Sequence, residues 1–499
     1  MLKPRKVLTA AQMSAVDRAT IDAGIPSIIL MENAAHACVE YIAEKFSPVS
    51  RQRIVVVCGK GNNGGDGIAI ARQLHVRFEP AEMWVVIAGA PPDLTMLHAC
   101  GLQEYLDFAP EMRSATLVID AVLGTGLRGP ATGDALNAIG HINRSFPYAK
   151  VLAVDIPSGL SGDTGAIPGE YVHADATVTF TAPKVCHAMA PAANLMGDLR
   201  IAPIGSPRAL YEDDEKIKLA LIAPPIVAPL FAPRVRDSNK GKYGHVLLIA
   251  GSRGKSGAAA MSGLAALRAG AGLVTVGCPD AVLDSVAAHA PELMVDRLPD
   301  VLPVPGHFSV VGMGPGIGTS DATRAMVLEL FQNLKKPMVV DADALNCIAG
   351  QPWGHAAGFR VLTPHPGEMS RLMGRTIAEI QSDRIDAARS LATDRGVVIV
   401  LKGERTLIAF PDGRVWINPT GSPAMATGGT GDILTGMIAA LLAQFPAMPD
   451  FAIAAAVYLH GLAGEIAARH LEEQPVIATD LLRFLPEGIR AITNVPDPL

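Results

Sequence analysis

Apolar positions along the chain change rhythm near residue 50. Before it they recur every three or four residues. Thr9 and Gln12 make a capping-box pair ahead of Met13, Val16 and Ile21, with a stop at Gly24 and Pro26. From about Ser27 to Phe46, Leu30, Met31, Ala34, Ala35, Cys38 and Ile42 share one side. That spacing predicts two amphipathic helices. Afterwards the apolar residues gather into short β-branched runs separated by helix-length stretches: IVVVCGKG from Ile54, MWVVIAGA from Met83, TLVIDAVLGTG from Thr116, VLAVDIPSG from Val151 and DATVTFTAPK from Asp175. Continuous apolar runs alternating with helices predict a doubly wound, mostly parallel sheet covered on both faces.

The alternation lapses between Tyr211 and Arg236, where the charged EDDEK is followed by the proline-broken IAPPIVAPLFAPR. These features predict a linker over 213–235, between domains of residues 1–212 and 236–499. The second domain resumes with HVLLIAGS, LVTVGCP, HFSVVGMGPG, PMVVDADAL, RVLTPHPGE, VVIVLKG and TLIAFPDG, again α/β. Both halves start from a strand and a glycine-rich turn, but their motifs differ, so there is no internal duplication.

Composition narrows the classes. A chain of 499 residues exceeds one ordinary core, and 18% charged against 49% apolar residues suits large buried domains. The net charge of −6 argues against a general nucleic-acid or anionic-membrane binder, and neither partner is expected. Six scattered cysteines with no CxxC pair, and a basic start without an apolar stretch, predict reduced thiols and a cytoplasmic location. The apolar segments Ile433–Phe445 and Phe451–Ala463 are short and interrupted, and read as core helices.

GKGNNGGDG follows a strand and opens a helix, and Gly59, Gly61 and Gly64 fit the spacing GxGxxG. Asp66 would place a carboxylate in the first helical turn, against a pyrophosphate, and the next strand ends in AGAPP with no acidic ribose partner. An ordinary dehydrogenase is therefore disfavoured. Asp120 closes TLVID, GTGLRG follows at Gly124–Gly129, and Asp155 and Ser158 close VLAVDIPSG. Open parallel sheets bind ligands beyond the carboxyl ends of their strands, so these loops can converge; helix capping by the two aspartates is the alternative.

NNGGDG, DAVLGTGLRG, DIPSGL and TAPK, in that order, resemble the YjeF N-terminal domain, the NAD(P)H-hydrate epimerase. The resemblance implies a Rossmann-like sheet and a potassium site at Asn63, Asp120 and Ser158, an oxygen-only set suited to a hard cation. It implies substrate contacts at Asn62, Asn63, Gly64, Gly65 and Asp66, at Gly124, Thr125, Gly126, Leu127, Arg128, Gly129 and Pro130, and at Asp155. Inverting the hydroxyl-bearing carbon of the hydrate calls for acid–base help, and Asp155 and Lys184 are the candidates. For Lys184 a snorkelling surface side chain is the competing reading. ENAA at Glu32–Ala35 departs from the expected ENAG, and no role is assigned there.

In the second half GSRGKSG is not a P-loop, because Ile249 stands where the first glycine belongs. TGGTGD from Thr427 precedes a long apolar helix. Gly428, Gly429 and Gly431 expose amides at its positive end, able to hold phosphate oxygens, and Asp432 is either a base for an attacking hydroxyl or a cap. GMGPGIG, DADAL, TPHPGE with His365 and LKGERT lie at other strand ends.

The ordered set resembles the YjeF C-terminal domain, a ribokinase-like NAD(P)H-hydrate dehydratase. It implies nucleotide contacts at Lys402, Gly403, Glu404, Arg405, Thr406 and Gly431, hydrate contacts at Ala258, Gly316, His365 and Asp432, and Asp432 as the catalytic base. The two-domain form implies ADP as phosphoryl donor, giving AMP and phosphate, with Mg2+ neutralising charge and no ligand set for it evident. Expected partners are hydrated NADH and NADPH and ADP, in a homo-oligomer. Two rival readings are a ribokinase-like vitamin or sugar kinase with an N-terminal regulatory domain, and a nucleotide sensor without turnover.

Overall fold

The β-branched runs of the first half become a seven-stranded sheet. In the computed structural model, which describes residues 3–494, it is preceded by α1 (Ala10–Asp22) and α2 (Ser27–Lys45). The Thr9–Gln12 capping box forms, each side chain accepting from the other residue's amide at 3.2 and 3.0 Å. The sheet comprises β1 (Arg53–Cys58), β2 (Glu82–Ile87), β3 (Glu104–Tyr105), β4 (Leu117–Ala121), β5 (Lys150–Val154), β6 (Ala176–Phe180) and β7 (Asp198–Ala202), with α3 (Asn62–Phe78) after β1 and α4 (Gly133–Ser145) after β4. Their order is β3-β2-β1-β4-β5-β6-β7, every pairing parallel. Along β1, Ile54, Val56 and Cys58 face one core and Val55 and Val57 the other. Burial on both faces is why the run has no polar alternation. The connections leave β1 and β4 in opposite directions, which places the switch point between those strands.

The second unit holds β8 (Leu219–Leu221), β9 (His245–Ile249), α5 (Ser256–Arg268), β10 (Leu273–Cys278), β11 (Met294–Arg297), β12 (Val310–Met313), α6 (Asp321–Asn333), β13 (Met338–Val340), α7 (Ala342–Ile348), β14 (Arg360–Leu362), α8 (Pro366–Met373), α9 (Arg384–Arg395), β15 (Val398–Leu401), β16 (Leu407–Ala409) and β17 (Val415–Ile417), then α10 (Thr430–Gln444), α11 (Pro449–Leu471) and α12 (Ala478–Thr493). The strands run β8-β17-β16-β15-β14-β13-β12-β9-β10-β11. Only the β15–β16 and β16–β17 pairings are antiparallel. α11 is long and apolar enough to cross a bilayer, yet most of it is buried in the core with α10.

The expected linker needs correction. The chain divides between Ile217 and Lys218: one unit is Arg5–Ile217, and the other is the chain from Lys218 onward together with the residues before Arg5. Residues 219–221 form β8, parallel to β17, and Ile226, Val227 and Leu230 lie in the second unit's core. The prolines misled the reading because Pro224 and Pro225 open a short helix at Pro224–Val227, where a missing amide costs nothing.

A fragment starting at Lys218 should therefore unfold cooperatively, whereas one starting at Arg236 loses those three buried side chains. Burial of each contributes about 1.5–3 kcal/mol, so the shorter fragment should melt well below the longer one. Equal melting of the two fragments would return 218–235 to a linker.

Candidate functional site

In the first unit the loops after β1, β4, β5 and β6 meet at a cavity of about 530 Å3. Asn62, Asn63, Asp66, Gly124, Thr125, Gly126, Leu127, Asp155 and Lys184 line it. Gly64, Gly65, Arg128, Gly129 and Pro130 do not. Gly64 serves packing, since a Cβ there would sit 1.8 Å from the Gly59 carbonyl oxygen. At Gly65 it would meet the Met31 side chain. A cavity of about 630 Å3 beside Asp134 and His141 gathers none of the expected residues.

Asp155 sits at φ +68°, a left-handed conformation for a non-glycine residue at the end of β5. Its Oδ1 accepts from Lys184 Nζ at 2.6 Å and from Thr179 Oγ1 at 2.9 Å. Lys184, 1% exposed, also donates to Thr179 Oγ1 and to the Phe180 carbonyl. The surface-lysine reading is thus overturned: the side chain runs inward to neutralise a buried carboxylate. Burial would raise the Asp155 pKa, but the Lys184 ammonium holds it below the usual carboxylate value.

His187 is a further member that sequence reasoning missed. Its Nδ1 accepts the Lys184 amide at 2.9 Å and its Nε2 contacts the Asp155 carbonyl at 3.0 Å. Burial pushes its pKa down to about 4, so the ring is neutral and Nε2 donates. Asp17, on α1, was missed too, and it lines the same cavity. Its signal was a carboxylate at i+4 between Met13 and Ile21, a polar break in an apolar stripe. Its Oδ1 is buried without a hydrogen-bond partner among the described residues.

Asp120 and Ser158 lie together. Asp120 Oδ2 accepts from the Ser158 amide at 2.8 Å and Oδ1 from Ser158 Oγ at 2.6 Å. Asp120 is fully buried, and burial pushes its pKa up to about 6. No Lys, Arg or His stands within ion-pair distance of it among the described residues. Asn63 is 8% exposed and its side-chain nitrogen is unpartnered among the described residues. A buried carboxylate lacking a cationic side chain, beside a hydroxyl, suits a hard monovalent cation.

In the second unit α10 starts behind Gly429, at φ +98°, and no side chain caps it. Asp432 lies in the first turn without capping anything, which removes the competing reading for it. Its pKa is pushed up to about 7, chiefly by burial and then by the nearby Asp341 charge. Asp341 closes β13 at 1% exposure. Its Oδ1 accepts from Lys402 Nζ at 2.7 Å and its Oδ2 from Thr435 Oγ1, one turn beyond Asp432, at 2.8 Å. A Cβ on Gly431 would lie 3.3 Å from Lys402 Nζ. The ammonium and the amide-rich helix start are therefore adjacent. The Asp341 and Glu368 charges outweigh burial and raise the Lys402 pKa.

Arg384, unforeseen, donates to the carbonyls of Leu401, Lys402 and Glu404 and holds the 402–404 turn. Ala258 and Gly316 approach closely: a Cβ on Gly316 would lie 3.2 Å from that of Ala258. His365 caps α8, its Nδ1 accepting from the Gly367 and Glu368 amides, while its side chain stays about half exposed. The structural role of His365 is settled by that cap.

Comparison with known proteins matches both halves. The family model for NAD(P)H-hydrate dehydratase covers residues 246–487, and that for the YjeF-related protein N-terminus covers 27–186. A bifunctional NAD(P)H-hydrate repair enzyme from Moorella thermoacetica is 40% identical, covering 97% of this chain and 96% of its own. The protein of that name from Escherichia coli is 38% identical, covering 86% and 84%. Among solved structures, an ADP/ATP-dependent NAD(P)H-hydrate dehydratase from Bacillus subtilis, co-crystallised with ATP and Mg2+, is 34% identical. It covers 55% of this chain and 98% of its own, with a TM-score of 0.51.

The buried Asp155–Lys184 pair makes its own prediction. Lys184→Met leaves Asp155 as an unpaired buried charge, at a cost of about 3–5 kcal/mol. Denaturant unfolding of the first unit should show that loss, and Asp155→Asn added to it should restore part. An unchanged midpoint in Lys184→Met would mean the pair contributes nothing.

Proposed function

The chain belongs to the family of bifunctional NAD(P)H-hydrate repair enzymes, and we propose how its two sites divide the repair of hydrated NADH and NADPH. It is a metabolite-repair enzyme, an epimerase joined to a dehydratase. Hydration yields two epimers at the hydroxyl-bearing carbon; the dehydratase consumes one, and the epimerase supplies it from the other.

In the second unit Asp432 takes the proton of the hydrate hydroxyl as that oxygen attacks the terminal phosphorus of ADP and AMP leaves. The Gly428–Gly431 amides and Lys402 receive the charge on the transferred phosphoryl group. Phosphate then departs with the C–O electron pair and the neighbouring carbon loses a proton, restoring the ring double bond. Lys402 to Thr406 and Gly431 hold the nucleotide; Ala258, Gly316 and His365 border the hydrate. The single observation that carries this reading is the uncapped Asp432 at the glycine-rich start of α10, beside a lysine fixed by Asp341. Mg2+ supplies further charge neutralisation on the phosphates; no group of three His, Cys, Asp or Glu set to hold a metal occurs among the described residues.

In the first unit the hydrate occupies the cavity bordered by Asn62, Asn63, Asp66, the Gly124–Leu127 loop and Asp155. Asn63, Asp120 and Ser158 hold potassium, whose charge offsets the buried Asp120 carboxylate. Asp155 is ionised and braced by Lys184, a fixed negative charge against a cationic reacting ring.

Asp432→Asn should cut dehydratase turnover by about 100- to 10,000-fold, the usual contribution of a general base, with the melt and ADP binding unchanged. Near-normal turnover would remove Asp432 from the chemistry. A base must be ionised, so wild-type dehydratase kcat/KM should rise with pH through about 7, and the absence of that limb would contradict the assignment. Asp120→Ala should abolish potassium binding and impair epimerisation while leaving dehydration of the correct epimer intact. Because Asp120 protonates near pH 6, potassium affinity should fall as pH drops through that value; pH-independent binding would place the cation elsewhere.

A further inference from the structure

Water adds to the enamine of a dihydronicotinamide ring with hydroxide on the carbon beside nitrogen, so the hydrate is a hemiaminal. Inverting that carbon requires one proton delivered and one removed. A proton donor gives its hydrogen to the hydroxyl, the C–O bond breaks with its electron pair leaving as water, and the ring nitrogen lone pair forms an iminium C=N bond. Water then adds to the opposite face, the π pair returns to nitrogen, and the surplus proton goes back to a carboxylate. The groups doing this must be free to change protonation state.

The carboxylates of the first unit differ in that freedom. Asp155 accepts from Lys184 at 2.6 Å and Thr179 at 2.9 Å and is held ionised. Asp120 is tied on both oxygens to Ser158. Asp17 and Asp66 line the same cavity, and neither carboxyl group has a hydrogen-bond or ion-pair partner among the described residues. They come from separate elements, α1 and α3; both feel the charges of Asp155 and Lys184, and Asp66 also feels that of Asp17. The unpartnered Asn63 nitrogen, nine-tenths buried on the same wall, is a second group awaiting a ligand.

We propose that Asp17 is a proton-transferring residue of the epimerase, exchanging a proton with the hydroxyl of the bound hydrate in concert with Asp66. This rests on the cavity being the hydrate epimerase site, and it assigns catalysis to a residue outside all the glycine-rich motifs. Burial, with the adjoining carboxylates, pushes both pKa values up. A carboxyl so placed can be an acid in one half of the reaction and a base in the other. The Asp155–Lys184 pair then stabilises the iminium and moves no proton.

The test uses the full-length chain, with the pure unproductive hydrate epimer and ADP, following recovery of reduced-nicotinamide absorbance through the chain's own dehydratase. Asp17→Asn should lower epimerase kcat by about 100-fold or more while KM for the hydrate changes by less than about 3-fold. Dehydration of the productive epimer and the thermal melt should match wild type. Asp17→Glu should recover a measurable part of kcat. A wild-type rate no faster than spontaneous epimerisation would sink the reading of the cavity itself. A fast wild type matched by Asp17→Asn would overturn only the role of Asp17. Loss of hydrate binding with a lowered melt in both Asp17 variants would make it a packing residue, and also overturns the proposal.

Discussion

A carboxylate at the end of a buried parallel strand has to be neutralised, and both sites are built on that requirement. The sheets are covered on both faces, so the strand interiors admit only apolar side chains, and polar chemistry is displaced to the strand ends. There Asp155 follows β5 and is met by Lys184, just beyond β6. Asp341 follows β13 and is met by Lys402, just beyond β15. Each lysine is supplied by another strand end of the same sheet, so forming the ion pair and closing the site are one event. An unpaired carboxylate at either depth would be costly, and each pair is dry enough that its loss outweighs an ordinary surface contact.

Once those charges are matched, the remaining carboxylates acquire meaning by contrast. Asp432 is raised to about 7 because burial disfavours its charge and the Asp341 carboxylate nearby adds to that. Asp17 and Asp66 stand in the same relation to Asp155. In both units, then, a locked ion pair stands near a carboxyl that burial pushes up. Thr435 ties Asp341 to the helix bearing Asp432. In the first unit His187 joins the two halves of the ion pair by bonding both to the Lys184 amide and to the Asp155 carbonyl.

Much of this was legible in the residues. Strand runs, glycine loops and carboxylates at strand ends are local signals, and the loops of NNGGDG, GTGLRG, DIPSG and TGGTGD stand where parallel-sheet geometry places a crevice. Proline counting failed at 218–235, because a proline in a helix's first turn looks the same in a sequence as one that breaks it. For Lys184 a site residue and a surface cation both stayed open, because its four carbons allow either course. Asp17 was passed over because it sits in an amphipathic helix with no motif around it.

By itself the sequence determined the secondary-structure rhythm, two α/β units and the ordered motifs that mark the family, since each depends on neighbours along the chain. The tertiary structure decided which groups meet: Lys184 with Asp155, Lys402 with Asp341, Asp120 with Ser158, and Asp17 with no partner among the described residues. Protonation state follows from burial and from charges within a few ångströms, and those neighbours come from distant positions. Whether an aspartate is a counter-ion, a cation ligand or a base is therefore a property of the packed strand ends.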